Sequence, residues 1–211
     1  MLKAVKGWLL CFLTIPVVAC AQVDAPYKEG EHYVELPDPV ATSDTSKVEV
    51  VELFWYGCPH CYALEPSVVA WQEKMPSYVK FVQMPAVLNK SWEVHGRAYY
   101  AAKSLGVLDA THQALFNEIH AKRNPLYSQQ RLAQFYAGYG VTEEAFNKAY
   151  NSFPVSAQIS RVKKAQREYR ATGVPLFIVN GKYKVSGTMK AGANGLFDVV
   201  DYLVERERAA N

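Results

Sequence analysis

Apolar residues in this chain alternate along a few short runs and recur at helical intervals almost everywhere else. His32-Tyr33-Val34-Glu35-Leu36 alternates over one short piece, the length of an edge strand. Residues 48–55 are dense in β-branched and aromatic side chains and predict a core strand. Beyond it, Ala63-Leu64, Val68-Val69 and Trp71-Gln72 fall at helical spacing, which predicts a helix running to about Met75 with Pro66 as a kink inside it. Residues 78–84 alternate again and are closed by Pro85. Because the chain returns through a helix, this second core strand is expected to lie parallel to the first, in a βαβ unit.

From about Asn89 to Arg170 the strand pattern is absent. Helical spacing predicts helices over 95–105, 110–121, 128–139 and 142–151, with breaks at Gly106, Asn124-Pro125, Gly138 to Gly140 and Pro154. A further helix from about Val155 carries Arg161, Lys163, Lys164, Arg167 and Arg170, read as a solvated basic face. The β pattern then returns in 175–179 and 182–185, separated by Asn180-Gly181, a strong hairpin signal because both turn positions need positive φ. After a loop from Gly187 to Gly195, Leu196, Phe197, Val199, Val200, Leu203 and Val204 line one face of a closing helix. The fold class is therefore α/β, ordered βα, β, helical block, β-hairpin, α. Residues 22–88 and 171–211 form its two parts, and 89–170 are an all-helical insertion.

Residues 1–21 stand apart from that fold. Lys3 and Lys6 precede an apolar run from Trp8 to Val18, the layout of a secretory signal, and Ala19-Cys20-Ala21 fits a small-residue cleavage site that starts the mature chain at Gln22. The alternative is cleavage before Cys20 in a lipobox-like Val17-Val18-Ala19-Cys20, leaving a lipid anchor on that cysteine. Loss of the leader takes Lys3 and Lys6 from the 23 basic residues and none of the 20 acids, so the net charge falls from +3 to +1. Such a balance argues against a nucleic-acid partner.

Export also changes the cysteine count. Cys11 and Cys20 leave with the leader, and Cys58 and Cys61 remain as the pair of the mature chain. A bridge across so short a loop constrains the unfolded chain little, so a redox couple explains the pair better than a structural disulfide. Structural zinc needs four ligands, and no second pair of suitable spacing follows; His95, His112 and His120 lie scattered over predicted helices and are read as surface or satisfied core residues. A cysteine protease would leave the second cysteine unexplained.

The pair falls where a strand meets a helix start. With Cys58 as N-cap, Pro59 takes the first helical position, where its missing N–H costs nothing. The Cys58 sulfur then faces unpaired backbone N–H groups and the positive end of the helix dipole, with His60 adding charge when protonated; all three favour thiolate. An ordinary cysteine, near pKa 8.5, is about 3% ionised at pH 7. Each unit of depression below ambient pH stabilises the reduced form by ~1.4 kcal/mol, or ~30 mV, and so makes the disulfide a better oxidant. Cys61, facing into the helix, is placed to resolve a mixed disulfide at Cys58. Glu52 is an acid within an apolar strand, expected to be central, where a buried carboxyl can exchange protons during the reaction. Val174-Pro175 opens a late strand and leaves backbone groups available to an extended peptide.

Cys58-Pro59-His60-Cys61 followed by Tyr62, the late Val174-Pro175, the Phe177 to Tyr183 hairpin and the helical block inserted in a βαβ…ββα frame together resemble the DsbA family of periplasmic thiol oxidases in the thioredoxin superfamily. That family is the standard instance of a strongly acidic, oxidising cysteine, so the direction of exchange is not inferred independently of it. The resemblance implies a thioredoxin-like fold, Cys58 as the exposed nucleophile, His60 as stabiliser of its thiolate, Cys61 as the buried resolving thiol and Pro175 as a cis-proline facing the disulfide. It makes Val174 a substrate-binding backbone position and Met189 a substrate contact. Glu52 and Glu65 match acidic positions of the family, Glu52 being the buried one; Gln83 departs from relatives that carry a basic residue there. The implied reaction is donation of the Cys58–Cys61 disulfide to unfolded exported polypeptides, with reoxidation by a quinone-linked membrane partner of the DsbB type. The protein is expected to act in the periplasm, as a monomer, with no metal and no cofactor beyond its own disulfide. The competing functions are a disulfide isomerase or reductase and, outside enzymes, a peptide-binding chaperone.

Overall fold

The computed structural model describes residues 25–190, 192 and 195–210. The leader 1–21, with its cleavage site, Cys11 and Cys20, lies outside the described residues, as does the proposed first mature residue, Gln22.

The core strand β2 (Val48–Phe54) is buried at all seven positions. It can be so because both its edges are paired and both its faces are covered. It runs parallel to β3 (Val79–Pro85), reached through helix α1 (Pro59–Gln72), and antiparallel to β4 (Leu176–Val179). β5 (Tyr183–Ser186) returns beside β4, and the two-residue β1 (Val34–Glu35) closes the far edge, giving the order β1-β5-β4-β2-β3. The hairpin turn has φ of 49° at Asn180 and 64° at Gly181, as the Asn-Gly pair predicts.

Successive β2 side chains point to opposite faces. Val48 and Val50 pack with Leu64 and Val68 of α1 and with Leu196, Val199, Val200 and Leu203 of the closing helix α7 (Leu196–Ala210). Val51 and Leu53 face the other way, into a cluster with Leu176, Ile178 and Tyr169.

Between β3 and β4 the chain forms α2 (Lys90–Ser104), α3 (Leu108–His120), α4 (Gln129–Ala137), α5 (Glu143–Tyr150) and α6 (Phe153–Glu168). Asn89, Ser128, Thr142 and Ser152 cap α2, α4, α5 and α6, each accepting a backbone N–H of the first turn through its side chain. Pro154 does not break the chain between helices. It sits in the first turn of α6, where its missing N–H would have had no intrahelical partner. The insertion and the strand–helix turn share one apolar cluster, in which Phe54, Tyr56, Cys58 and Cys61 meet Tyr99, Leu115 and Phe116. The helical block is thus packed onto the end of β2 from which α1 departs.

Candidate active site

Cys58 is the N-cap of α1, with extended backbone (φ −88°, ψ 117°), and Pro59 opens the helix. Both cysteines are free thiols, and the Cys58 Sγ donates to the Val174 carbonyl at 3.6 Å. Val174-Pro175 is a cis peptide, and the Cys58–Val174 contact sets the turn into β4 against the first turn of α1. His60 is exposed, whereas Cys58 is only 7% and Cys61 1% exposed. Cys58 is therefore less exposed than the family resemblance implies. The Val174 carbonyl lies against its sulfur, and the aromatic cluster closes around both cysteines.

The two sulfurs are electronically unlike. Hydrogen bonding from the Cys61 thiol, then the backbone N–H groups of Cys61 and His60, and last the His60 charge bring Cys58 down to about 6, against the opposing effect of burial. Burial, and the neighbouring Cys58 sulfur, push the Cys61 thiol up. The second thiol of the pair is a larger influence on Cys58 than the helix terminus or His60. Cys58 is thus built to leave as a thiolate and Cys61 to hold its proton.

Beneath Cys61 lies an acidic pair. Glu52 lies on the strand face that carries Val50 and Phe54, and Glu65 follows Cys61 by four residues on α1, so both acids project into the same strand–helix interface. Both are buried, Glu52 at 0% and Glu65 at 3% exposure, so the burial anticipated for Glu52 alone extends to its neighbour. Gln83 sits opposite Glu52 across the β2–β3 pairing and donates Nε2 to Glu52 Oε2 at 3.1 Å. Burial first, and the Glu65 charge second, raise the Glu52 carboxyl to about 8.

Three histidines expected as surface or satisfied core residues, His95, His112 and His120, complete the surroundings. His112 Nε2 lies 3.2 Å from Glu65 Oε1 and its Nδ1 2.7 Å from the Tyr56 hydroxyl. His120 Nε2 meets the Tyr56 carbonyl at 2.8 Å, and its ring stacks on Tyr62 with centroids 4.8 Å apart. His95 is fully buried, pushed down to about 4 by that burial, with Nε2 3.1 Å from the Pro125 carbonyl. The signal for two of them was present: His112, Phe116 and His120 recur every fourth residue, on one face of α3.

Two grooves flank Val174-Pro175. One is lined by His60, Leu64, Leu196 and Phe197, and the other by Arg170, Lys184 and Met189, so Met189 and His60 line different grooves beside the Val174-Pro175 turn. Among the described residues no group of three or more His, Cys, Asp or Glu is arranged to hold a metal ion, and no helix is long and apolar enough to cross a membrane.

A strand that hands a Cys-x-x-Cys pair to a helix N-terminus, facing a cis-proline turn, is the site of a thioredoxin-like thiol:disulfide oxidoreductase. Residues 49–204 match the family described as the DSBA-like thioredoxin domain. Over 190 residues, 90% of each chain, the sequence is 46% identical to the thiol:disulfide interchange protein DsbA of Pseudomonas aeruginosa. It is 43% identical to that of Azotobacter vinelandii over 88% of this chain and 87% of the relative. The fold superposes on the crystal structure of Pseudomonas aeruginosa DsbA with a TM-score of 0.83, at 46% identity, covering 87% of this chain and 96% of that one. For the oxidoreductase DsbA from Xylella fastidiosa the TM-score is 0.81 at 37% identity, covering 87% and 98%. The chain belongs to the DsbA-like thioredoxin-domain family of thiol:disulfide oxidoreductases.

Proposed function

We propose that this protein is a dithiol oxidant for newly exported polypeptides, with Cys58 as the sulfur attacked by substrate. A substrate thiolate attacks Cys58 in the Cys58–Cys61 disulfide; the new bond joins substrate to Cys58, and Cys61 leaves with the electron pair of the broken bond. Glu52, protonated at neutral pH, supplies the proton that Cys61 takes up. A second substrate thiolate then attacks the substrate sulfur of the mixed disulfide, forming the substrate disulfide and releasing Cys58 as thiolate. Substrate is oxidised by two electrons and the Cys58/Cys61 pair is reduced by two.

The observation that carries this direction is the asymmetry of the two sulfurs. A Cys58 thiol about one unit below pH 7 stabilises the released thiolate, worth ~30 mV at that pH. Pro59 leaves the helix start open, and His60 adds the smallest share of thiolate stabilisation. The backbone of Val174 and Pro175 is the edge on which an extended substrate pairs, and Met189 touches residues of that substrate beyond the reactive sulfur.

Reoxidation by a DsbB-type, quinone-linked membrane oxidase completes the cycle, in the periplasm and with a single copy of the chain. In this reading residues 1–21 are a removed signal, with acylation at Cys20 the alternative. The thioredoxin-like domain comprises 22–88 and 171–211, and 89–170 form the helical domain. The test is equilibration of the Cys58/Cys61 pair with glutathione, alongside oxidation of a reduced two-cysteine peptide. A reduced form more stable than the oxidised one, with turnover lost in Cys58→Ser, is expected. A potential as reducing as that of a thioredoxin would mark a reductase instead, and a Cys58→Ser variant that still supports oxidative folding would leave only peptide binding.

A further inference from the structure

Two carboxyls are buried together under Cys61, and no lysine or arginine is paired with either among the described residues. Each keeps one oxygen, Glu52 Oε1 and Glu65 Oε2, without a hydrogen-bond partner. Two carboxylates sharing a site from which water is excluded cannot both ionise cheaply; a proton or a cation must offset one of them. Gln83, which donates to Glu52, is neutral.

The group in contact with the pair that can carry positive charge is His112, from α3 of the insertion. Its Nε2 lies 3.2 Å from Glu65 Oε1, so the ring reaches Glu65 directly, and the Gln83 amide nitrogen that donates to Glu52 stands 3.5 Å from the same ring atom. The other groups facing it are the Tyr56 hydroxyl from the strand–helix turn, at 2.7 Å from Nδ1, and the Tyr99 ring from α2, with centroids 6.1 Å apart. Phe54 and Phe116 close the remaining sides at 5.2 and 5.3 Å. Burial pushes the Tyr56 phenol well above 10, so Tyr56 offers a hydroxyl and no competing charge. The His112 side chain is 12% exposed against 4% for Glu65, which makes it the member of this ion pair nearer to water.

We propose that His112 is the counter-charge of the Glu52–Glu65 pair, a positioning residue through which the helical insertion sets the ionisation of the acids beneath Cys61. Through its 3.2 Å contact it orients the Glu65 carboxyl, and when it carries charge it offsets part of the repulsion that Glu65 exerts on Glu52. The inference rests on the oxidase reading only for the use to which the Glu52 proton is put.

The test follows the Glu52 carboxyl carbon by NMR across pH, in the dithiol form of the full chain. His112→Gln should raise the Glu52 midpoint by about one unit or more, the effect of removing an opposite charge from its surroundings. Adding Gln83→Lys to that variant puts a cation opposite Glu52 and should bring the midpoint back. An unmoved midpoint in His112→Gln overturns the proposal, and so does a rise that the lysine fails to reverse, since that rise would reflect repacking alone. Should His112→Gln not fold, the unaltered protein decides: its His112 ring signals must shift through the Glu52 titration, and signals indifferent to it refute the pairing. Peptide oxidation by the parent protein is measured in parallel. Its absence would discard the oxidase reading while leaving the Glu52 titration to judge His112.

Discussion

Glu52→Gln isolates the cost of keeping a carboxyl under the redox pair. The side chain is fully buried, and burial together with the Glu65 charge raises its carboxyl from 4.5 to about 8 despite the Gln83 hydrogen bond. The unfolded chain therefore releases this proton near pH 4.5, whereas the folded chain holds it until about pH 8. Between those values the folded state binds the extra proton, so the contribution to stability is complete below pH 4.5 and is lost as pH rises toward 8. At pH 7 the loss spans about 2.5 units, roughly 3 kcal/mol, and by pH 8 it reaches roughly 5 kcal/mol. Glutamine keeps an oxygen for the Gln83 amide and removes the titration. Its NH2 group brings a burial cost of ~1–3 kcal/mol, but that cost does not vary with pH. Denaturant unfolding of the dithiol forms at pH 4.5, 6, 7 and 8 should show the stability of the variant rising relative to the parent by about 3 kcal/mol between pH 4.5 and 7. A difference that stays flat across this range would refute the claim that the native state holds Glu52 protonated.

Three further outcomes follow from the same geometry. The ultraviolet absorbance of the Cys58 thiolate should titrate with a midpoint of about 6, and Cys61→Ala should raise that midpoint more than His60→Ser does, because the second thiol is the larger influence; the reverse order would disprove the ranking. Gly181→Ala should destabilise the fold by more than ~1 kcal/mol in thermal unfolding, since φ is +64° and a Cβ would stand 1.9 Å from the Val40 carbonyl oxygen; an unchanged midpoint temperature would contradict this. Gly57→Ala places a Cβ 2.4 Å from the Trp55 ring, which stacks on Trp92 at 4.5 Å, and should alter tryptophan fluorescence; an unaltered spectrum would show that the ring has room to yield.

Those features differ in how far the amino-acid order reveals them. β2, its βαβ return and the Asn180-Gly181 hairpin were legible because a local pattern, period two or a turn dipeptide, encodes each. Cys58 and Pro59 were legible as N-cap and first helical residue for the same reason. Pro154 misled because proline marks both the gap between helices and the first turn of a helix, and only the Ser152 cap distinguishes the two. The exposure expected of Cys58 failed because the residues around it come from far along the chain: Val174 lies 116 positions away. The spacing of His112, Phe116 and His120 places them on one face of α3, but that Glu65 is what His112 meets depends on how α3 packs against α1.

The placement of the acids shows why this fold suits such chemistry. A strand presents every second residue to a helix packed on it, and the helix presents every fourth residue back. Glu52 on β2 and Cys61 with Glu65 on α1 are therefore brought into one interface by two unrelated periodicities. The Cys61 thiol, and after it the first-turn backbone N–H groups, lower Cys58 at the edge of that interface, and the burial that stabilises the fold raises Cys61 and Glu52 inside it. One wall thus separates a sulfur that leaves as an anion from a sulfur and a carboxyl that keep protons, so polarity of exchange follows from depth. A change that admits water beneath Cys61 without touching either cysteine should then lower the Glu52 midpoint and narrow the difference between the two thiols. Phe116→Ala, which removes a fully buried ring from the cluster containing both cysteines, is such a change. Its expected signature is a Glu52 titration displaced below 8, and a titration left in place would show that depth alone does not set the order.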